Sequence, residues 1–157
     1  MRIRSPLSLA AAAVAAVALT APRAGAADNG IYEIRDANLG GCVAPDGNLP
    51  GAHLETCSDT TQWVLTNRSD GTVILATASD PGRCLGLFPI LTAPAQVRVA
   101  RCGAYPDRWR VDGPDGLPSA LSLADQPGTG SLTTAEGPGI VTLGGDGDRE
   151  WVVQRVA

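Results

Sequence analysis

The three tryptophans stand at nearly equal intervals along the chain. Trp63, Trp109 and Trp151 are 46 and 42 residues apart, and the first two close segments with the same landmarks. Each segment, from Cys42 or from Cys84, has a Cys, an apolar residue, a polar turn, a short apolar stretch, a second Cys and then the Trp. A period of about 20–50 residues is typical of folds built from repeated units, none of which buries its apolar face alone. The spacing therefore predicts three repeats, the third without its cysteines.

Within the repeats, the pattern indicates short strands separated by turns. No stretch of 11 or more residues after the N-terminal leader has the period of an amphipathic helix, and turn residues recur every 8 to 12 positions. The turns Pro81-Gly82 and Pro127-Gly128 are also 46 residues apart. We expect an all-β fold of twelve strands, four in each repeat, closed into a threefold barrel capped by hairpins. The repeat boundaries fall at about 30–68, 69–114 and 115–157.

The turns align the third repeat with the second. This alignment places Gly130 or Ser131 at the position of Cys84, and Gly144 at the position of Cys102. The three Trp rings supply large apolar areas for a shared core. The other side chains that we expect in this core are Leu54, Ile74, Val99, Leu121 and Val141.

The first 26 residues have the pattern of a secretory signal peptide. Arg2 and Arg4 give a basic start, Leu7 to Leu19 is rich in Ala, Val and Leu, and Ala24-Gly25-Ala26 offers a small-residue cleavage site. The apolar run is shorter than the roughly 20 residues that a membrane span needs. We therefore expect a mature, secreted, extracellular chain of residues 27–157, which has the size of a single domain.

The charge of the mature chain is acidic. Nine arginines and sixteen acidic residues remain without the leader, a formal net charge of −7, and the chain has no lysine. Nucleic-acid binding rests on basic groups that neutralise phosphates, and anionic membranes attract basic groups in the same way. The composition therefore argues against a nucleic-acid or membrane partner.

The four cysteines of a secreted chain favour disulfides over metal ligation. Four cysteines allow three pairings, and the repeat favours the pairing inside each unit, Cys42 with Cys57 and Cys84 with Cys102. A zinc site is the competing interpretation. The spacings contain no C-x-x-C pair and His53 is the only histidine, so we expect neither a metal nor a cofactor.

In the order of its Cys and Trp residues, the stretch from about Gly30 to Ala157 resembles the ricin B-type lectin domain. The resemblance implies a β-trefoil and a carbohydrate-binding function. The repeat hallmark of that family is Gln-x-Trp, and the three versions here keep only the Trp: Thr61-Gln62-Trp63, Asp107-Arg108-Trp109 and Arg149-Glu150-Trp151.

The resemblance also names the positions that hold sugar in that family. They are an Asp two residues after the first Cys, an aromatic ring two residues before the second Cys, and an amide three residues before the Trp. The Asp is replaced by Ala44, Gly86 and Thr133, the ring by Glu55, Ala100 and Thr142, and the amide by Thr60, Pro106 and Asp148. These replacements argue against a sugar site of the usual design in all three repeats.

A displaced site is the remaining candidate for carbohydrate binding. In the second repeat Phe88 and Tyr105 could reach one pocket at the rim together with Arg98 or Asp107, because a sugar site needs an apolar platform and directional polar groups. The alternative is that the ring of Phe88 only covers the end of the barrel. In the first repeat the weaker candidates are Asp46, His53 and Glu55, and the favoured alternative there is a solvated rim.

The functional prediction is a monomeric, secreted, lectin-like protein that binds a carbohydrate or polysaccharide through shallow rim sites. The alternative is a β-trefoil scaffold that binds a secreted protein, for example as a protease inhibitor, through the proline-bracketed loops at 88–94 and 114–118. Catalysis is not expected. The chain has one histidine, no G-x-S-x-G nucleophile motif, and cysteines that we expect to be oxidised.

Overall fold

The computed structural model describes residues 27–45, 51–88, 95–135, 139–144 and 151–157. The predicted signal peptide, Asp46 and most of the loop at 88–94 lie outside the described residues. The described part has almost no helix, only the short 3-10 turn Asp59–Thr61. Its strands are β1 Gly30–Asp36, β2 Cys42–Ala44, β3 His53–Glu55, β4 Gln62–Asn67, β5 Val73–Thr77, β6 Arg83–Leu87, β7 Ala95–Arg101, β8 Arg108–Asp112, β9 Pro118–Leu123, β10 Leu132–Thr134, β11 Val141–Leu143 and β12 Trp151–Arg155.

Six of the strands close a ring of antiparallel pairs. Strand β1 pairs with β4, β4 with β5, β5 with β8, β8 with β9, β9 with β12, and β12 pairs back with β1. A closed ring leaves no unpaired strand edge, which removes the usual template for edge-to-edge association. The ring is the barrel-like core that the strand pattern predicts.

The other six strands form three hairpins that meet one another. The pairs are β2–β3, β6–β7 and β10–β11. Strand β11 also pairs with β7, while the Ala52 N–H donates to the Val97 carbonyl and the Val141 N–H donates to the Ala52 carbonyl. These bonds hold the three hairpins against each other.

Each tryptophan makes the same hydrogen bond to one of these hairpins. The indole N–H groups of Trp63, Trp109 and Trp151 donate over 2.8 Å to the carbonyls of Val43, Leu85 and Leu132. All three rings are fully buried, so each indole N–H needs this partner. Val43 and Leu85 follow the first Cys of their repeats, so the bond to Leu132 identifies Ser131, rather than Gly130, as the residue in place of that Cys.

The position assigned to Gly144 is wrong. Cys42 pairs with Glu55 and Cys84 pairs with Ala100, whereas Leu132 pairs with Leu143 and the Gly144 N–H donates to the Ser131 carbonyl. Gly144 therefore corresponds to Glu55 and Ala100, two residues before the second Cys. The Trp spacing gave a wrong alignment because the segment before Trp151 is shorter: Gly144 precedes Trp151 by 7 residues, whereas Glu55 and Ala100 precede Trp63 and Trp109 by 8 and 9. The true counterpart of Cys102 lies outside the described residues.

The core prediction is confirmed for three of its five members and wrong for one. Val99, Leu121 and Val141 are buried, and Leu54 is partly buried against the core. Ile74 is half-buried and is not in the core, because neighbouring strand residues point to opposite faces and its neighbours on β5 face inward. The residues that face inward there are Val73 and Leu75.

Both predicted disulfides are confirmed. Cys42 bonds to Cys57 and Cys84 bonds to Cys102, each pair joining the first strand of a hairpin to the residues that follow the second strand. Among the described residues, no helix is long and apolar enough to cross a membrane.

Candidate functional site

The candidate site of the second repeat lies on one face of the hairpin β6–β7. Gly86 pairs with Arg98, and the Phe88 N–H donates over 3.0 Å to the Gln96 carbonyl. Because strand residues alternate between faces, Phe88, Gln96 and Arg98 share the face opposite to the core residues Leu85 and Val99. We call Phe88, Gln96, Arg98 and Tyr105 the rim cluster.

The structure brings the two non-Trp aromatic rings of the second repeat into contact. The ring centroids of Phe88 and Tyr105 are 5.6 Å apart with an interplanar angle of 74°, an edge-to-face pair of favourable geometry. Both side chains are half-buried, so each keeps surface that solvent or a ligand can reach. The two rings therefore lie side by side at one place on the rim.

Arg98 completes the cluster by stacking on Phe88. Its guanidinium carbon lies 4.3 Å from the Phe88 ring centroid, within the range in which the ring attracts a cation. Its Nη2 donates to the side-chain oxygen of Gln96 over 3.2 Å, and its Nε is buried without a hydrogen-bond partner. None of the ion pairs among the described residues involves Arg98. The guanidinium is therefore positioned by Phe88 and Gln96, and no carboxylate of the described residues pairs with it.

Asp107, the other polar candidate of the second repeat, is bonded to the backbone just before it. Its Oδ2 accepts a hydrogen bond from the Gly103 N–H over 2.6 Å, so the carboxylate fixes this turn. This bond shapes the segment that presents Tyr105. Asp107 thus acts on the site through the backbone.

The same segment lies directly over Gly86. A Cβ built on Gly86 would be 2.8 Å from the Pro106 carbonyl oxygen, which accepts a hydrogen bond from the Leu87 N–H over 2.9 Å. Gly86 is the position where the ricin B-type lectins carry their sugar-binding Asp. Pro106 and Asp107 therefore lie against Gly86, and the same segment places Tyr105 beside Phe88.

In the first repeat, His53 is committed to a neighbouring side chain. Its ring is almost fully buried, with Nε2 2.7 Å from Glu55 Oε1 and Nδ1 3.3 Å from the Gly51 carbonyl oxygen. Asp46, the other candidate there, lies outside the described residues. His53 is therefore a structural contact of β3 in the described part of the chain.

An open depression of about 720 Å³ lies beside the Cys42–Cys57 disulfide. The Arg35 guanidinium in its wall forms an ion pair with Glu33 at 3.2 Å, and Leu39 at its edge is 62% exposed. The residues that line it are Arg35, Leu39, Gly40, Gly41, Leu54, Glu55, Thr56 and Cys57. Sequence reasoning missed this depression, because it depends on how the turn after β1 packs on β3.

The described residues offer one grouping of potential metal ligands. Glu33, Cys42 and Cys57 place ligand atoms within 4.8 Å of one another. Both sulfurs belong to the disulfide, so neither is a thiolate that could bind a soft metal.

Gln96 is the member of the rim cluster that sequence reasoning missed. Its signal was the alternation along β7, where Gln96 and Arg98 are two residues apart and Val97 and Val99 are buried between and after them. Once Arg98 is a candidate, strand periodicity places Gln96 on the same face.

The closed barrel, its three hairpins and the two disulfides define an all-β protein of the β-trefoil class, with a cluster of rings and a cation at its rim. No protein-family model and no curated protein matches this sequence. Solved structures do match, and their likeness shows the fold alone.

Three of these structures illustrate the range of the fold. The designed threefold-symmetric protein ThreeFoil is 18% identical with a TM-score of 0.63, over 82% of this chain and 100% of that chain. A ricin B-like lectin from Macrolepiota procera, in complex with lactose, is 17% identical with a TM-score of 0.60, over 82% and 97%. A GlcNAcα1-4Gal-releasing endo-β-galactosidase from Clostridium perfringens is 17% identical with a TM-score of 0.63, over 81% of this chain but only 32% of the enzyme.

Proposed function

We propose that this chain is a secreted, lectin-like protein that binds glycans at the rim cluster of its second repeat. We also propose a domain organisation: a signal peptide at 1–26 and one β-trefoil domain at 27–157. The domain has three four-stranded repeats about a pseudo-threefold axis. The equivalent indole hydrogen bonds of the three tryptophans support this arrangement. The two disulfides support an extracellular location.

The observation that carries the functional proposal is the contact of Phe88 with both Tyr105 and Arg98. Sugar sites combine an apolar surface that stacks on the ring of the sugar with a few polar groups that fix its hydroxyls. The rim cluster supplies two half-buried aromatic rings, the Arg98 guanidinium and the Gln96 amide on one face of a hairpin. The complex of the Macrolepiota lectin with lactose supports sugar binding at the level of the fold.

The rigidity of the cluster also supports a binding role. The hairpin beneath it is closed by the Cys84–Cys102 disulfide, and the segment that carries Tyr105 is held by the bond between the Gly103 N–H and Asp107. A ligand that meets a preformed surface loses less affinity to ordering of the protein. The cluster is therefore built to present its rings in one arrangement.

The test is retention of the oxidised mature protein on a panel of immobilised polysaccharides, with soluble glycan as competitor. Tyr105→Ala should abolish competed retention and leave the thermal midpoint nearly unchanged. Leu39→Ala, which truncates an exposed apolar side chain of the first repeat, is the matched control and should retain the glycan fully. Equal retention by both variants would place the site elsewhere, and absence of retention by the unsubstituted protein would remove the function.

One observation favours the second candidate, a protein-binding scaffold. Leu117 is 55% exposed in the turn between β8 and β9, where its N–H donates to the Pro114 carbonyl. A stiff turn with an apolar tip is suited to docking on a protein. Inhibition of a secreted protease that is lost in Leu117→Asp and insensitive to added glycan would favour this function over the first.

A further inference from the structure

The face of hairpin β6–β7 differs in charge from the corresponding faces of the other two hairpins. The pair at this position is Ala44 with His53 in the first hairpin and Thr133 with Thr142 in the third. In the second hairpin the pair is Gly86 with Arg98. The second repeat therefore carries a fixed positive charge where the others carry small or hydrogen-bonded groups.

The hydrogen-bonding capacity of Arg98 is mostly unused. A guanidinium has five N–H donors, and among the described residues Arg98 makes one hydrogen bond, from Nη2 to Gln96. The Nε is buried without a partner, and no described carboxylate lies within ion-pair distance. Among the described residues, no hydrogen bond involves its Nη1. The described part of the site therefore offers donors that lack acceptors.

The side-chain acceptor that contacts Arg98 is already in use, because the Gln96 oxygen accepts from Arg98. One of the two Asp107 carboxylate oxygens, Oδ2, is also engaged, by the Gly103 N–H. A neutral hexose presents hydroxyls that usually donate to a carboxylate, as they do to the Asp of the family's own sites. A sugar that brings its own oxyanion instead matches a guanidinium, which binds carboxylates and sulfates with paired hydrogen bonds.

We infer that the rim cluster is selective for acidic glycans, an inference that rests on the proposed function. The carboxylate or sulfate group of the glycan binds the Arg98 guanidinium, and its sugar ring contacts Phe88 and Tyr105. The stacking of Arg98 on Phe88 fixes the plane of the guanidinium before the ligand arrives. The overall negative charge of the protein repels acidic glycans at a distance, so recognition depends on this local contact. Binding should therefore weaken when salt screens the attraction between Arg98 and the acidic group of the glycan.

Pairs of polysaccharides that differ only in charge test the selectivity. One arm compares immobilised polygalacturonate with its methyl ester, and the other compares dextran sulfate with dextran. We expect the mature protein to be retained on an acidic member and to be released by salt, while the neutral partner fails to retain it. Retention in the first arm assigns a carboxylate ligand, and retention in the second assigns a sulfate.

Two variants with the same change of charge separate the specific contact from general electrostatics. Arg98→Gln should weaken retention about 10- to 100-fold, because a hydrogen-bonded charge is removed. Arg101→Gln removes the same charge from an exposed position on the same strand and should change retention little. Arg98→Lys keeps the charge but lacks the planar guanidinium, so its retention should fall between those of the two Gln variants. This variant still tests the contact if Arg98→Gln does not fold.

The outcomes distinguish this inference from the function on which it rests. Equal retention on the acidic and neutral members, or equal losses in the Arg98→Gln and Arg101→Gln variants, would overturn the acidic selectivity and leave glycan binding in place. Absence of retention on every glycan of the wider panel, with both disulfides intact, would overturn both.

Discussion

The indole N–H of Trp151 donates to the carbonyl oxygen of Leu132 over 2.8 Å, the same distance as in the two repeats that contain a disulfide. The segment around Trp151 therefore makes the same contact as the two disulfide-containing segments, although it has no cysteine. Both Trp151 and Leu132 are fully buried, so neither group has water as an alternative partner.

Replacing Trp151 by Phe should show how much this contact stabilises the third repeat. The variant leaves the buried Leu132 carbonyl without its donor, which costs about 1–3 kcal/mol, and the smaller ring leaves space that adds to the loss. Urea unfolding followed by fluorescence of the other two tryptophans measures the free energy of unfolding. Val156→Ala, at an exposed position near the C-terminus, should change it by less than about 0.5 kcal/mol. A loss in Trp151→Phe no larger than this control would contradict the importance of the contact.

The fold could be predicted from the sequence because its main determinants repeat. The Trp spacing, the paired cysteines and the regular turns each indicate the same unit, and three of the five predicted core side chains are buried. Ile74 was misplaced because both it and its neighbours on β5 are apolar, so alternation gave no signal of the inward face. Gly144 was misplaced because the spacing to Trp151 was used in place of strand register.

The rim cluster was only partly predictable. Phe88, Arg98 and Tyr105 could be named because aromatic residues are scarce in the mature chain, but the stacking of Arg98 on Phe88 depends on pairing across β6 and β7. The bond between Asp107 and the Gly103 N–H could not be predicted, because it is a backbone contact that the sequence does not reveal. The fit of Pro106 over Gly86 is likewise set by tertiary packing.

Gly86→Ala should disrupt the rim cluster from beneath. The added Cβ would lie 2.8 Å from the Pro106 carbonyl oxygen, a backbone atom, so the segment that carries Tyr105 must move. We expect a loss of stability of about 1–3 kcal/mol, typical of overpacking, together with loss of glycan retention. Gly128→Ala is the matched control because a Cβ there meets nothing within 4 Å. Unchanged glycan retention in Gly86→Ala would show that the position of Tyr105 does not matter for binding.

Removal of the disulfides should cost similar free energies in the first two repeats. The bridges close loops with sequence separations of 15 and 18 residues. The loop-entropy model gives about 3 kcal/mol for each, with little difference between such similar lengths. Denaturant unfolding of the double Cys→Ser variants at 42 and 57, and at 84 and 102, measures both. A cost close to zero for either pair would show that native contacts, rather than the closed loop, determine that part of the stability.

The carboxylate of Asp70 should contribute to the stability of the folded protein, and this contribution should be lost in acid. The Thr72 hydroxyl and then the Thr72 N–H donate to Asp70, with a smaller contribution from Arg108, and these bonds hold the pKa of Asp70 below its ordinary value of 3.8. A carboxylate with a lowered pKa in the folded state stabilises the fold above about pH 4 and loses that contribution as the pH falls through the folded-state pKa.

Thr72→Val tests the main cause of this shift. Because the variant removes the hydroxyl donor and keeps the size of the side chain, we expect the pKa of Asp70 to rise toward its ordinary value. Titration of the Asp70 carboxyl by NMR measures the shift, and Asp80→Asn, on the next turn of the chain, serves as a control that should leave it unchanged. A pKa of Asp70 that is the same in Thr72→Val and in the unsubstituted protein would transfer the effect to Arg108. That guanidinium also pairs with Asp125, and it joins the turn after β4 to the turn after β9.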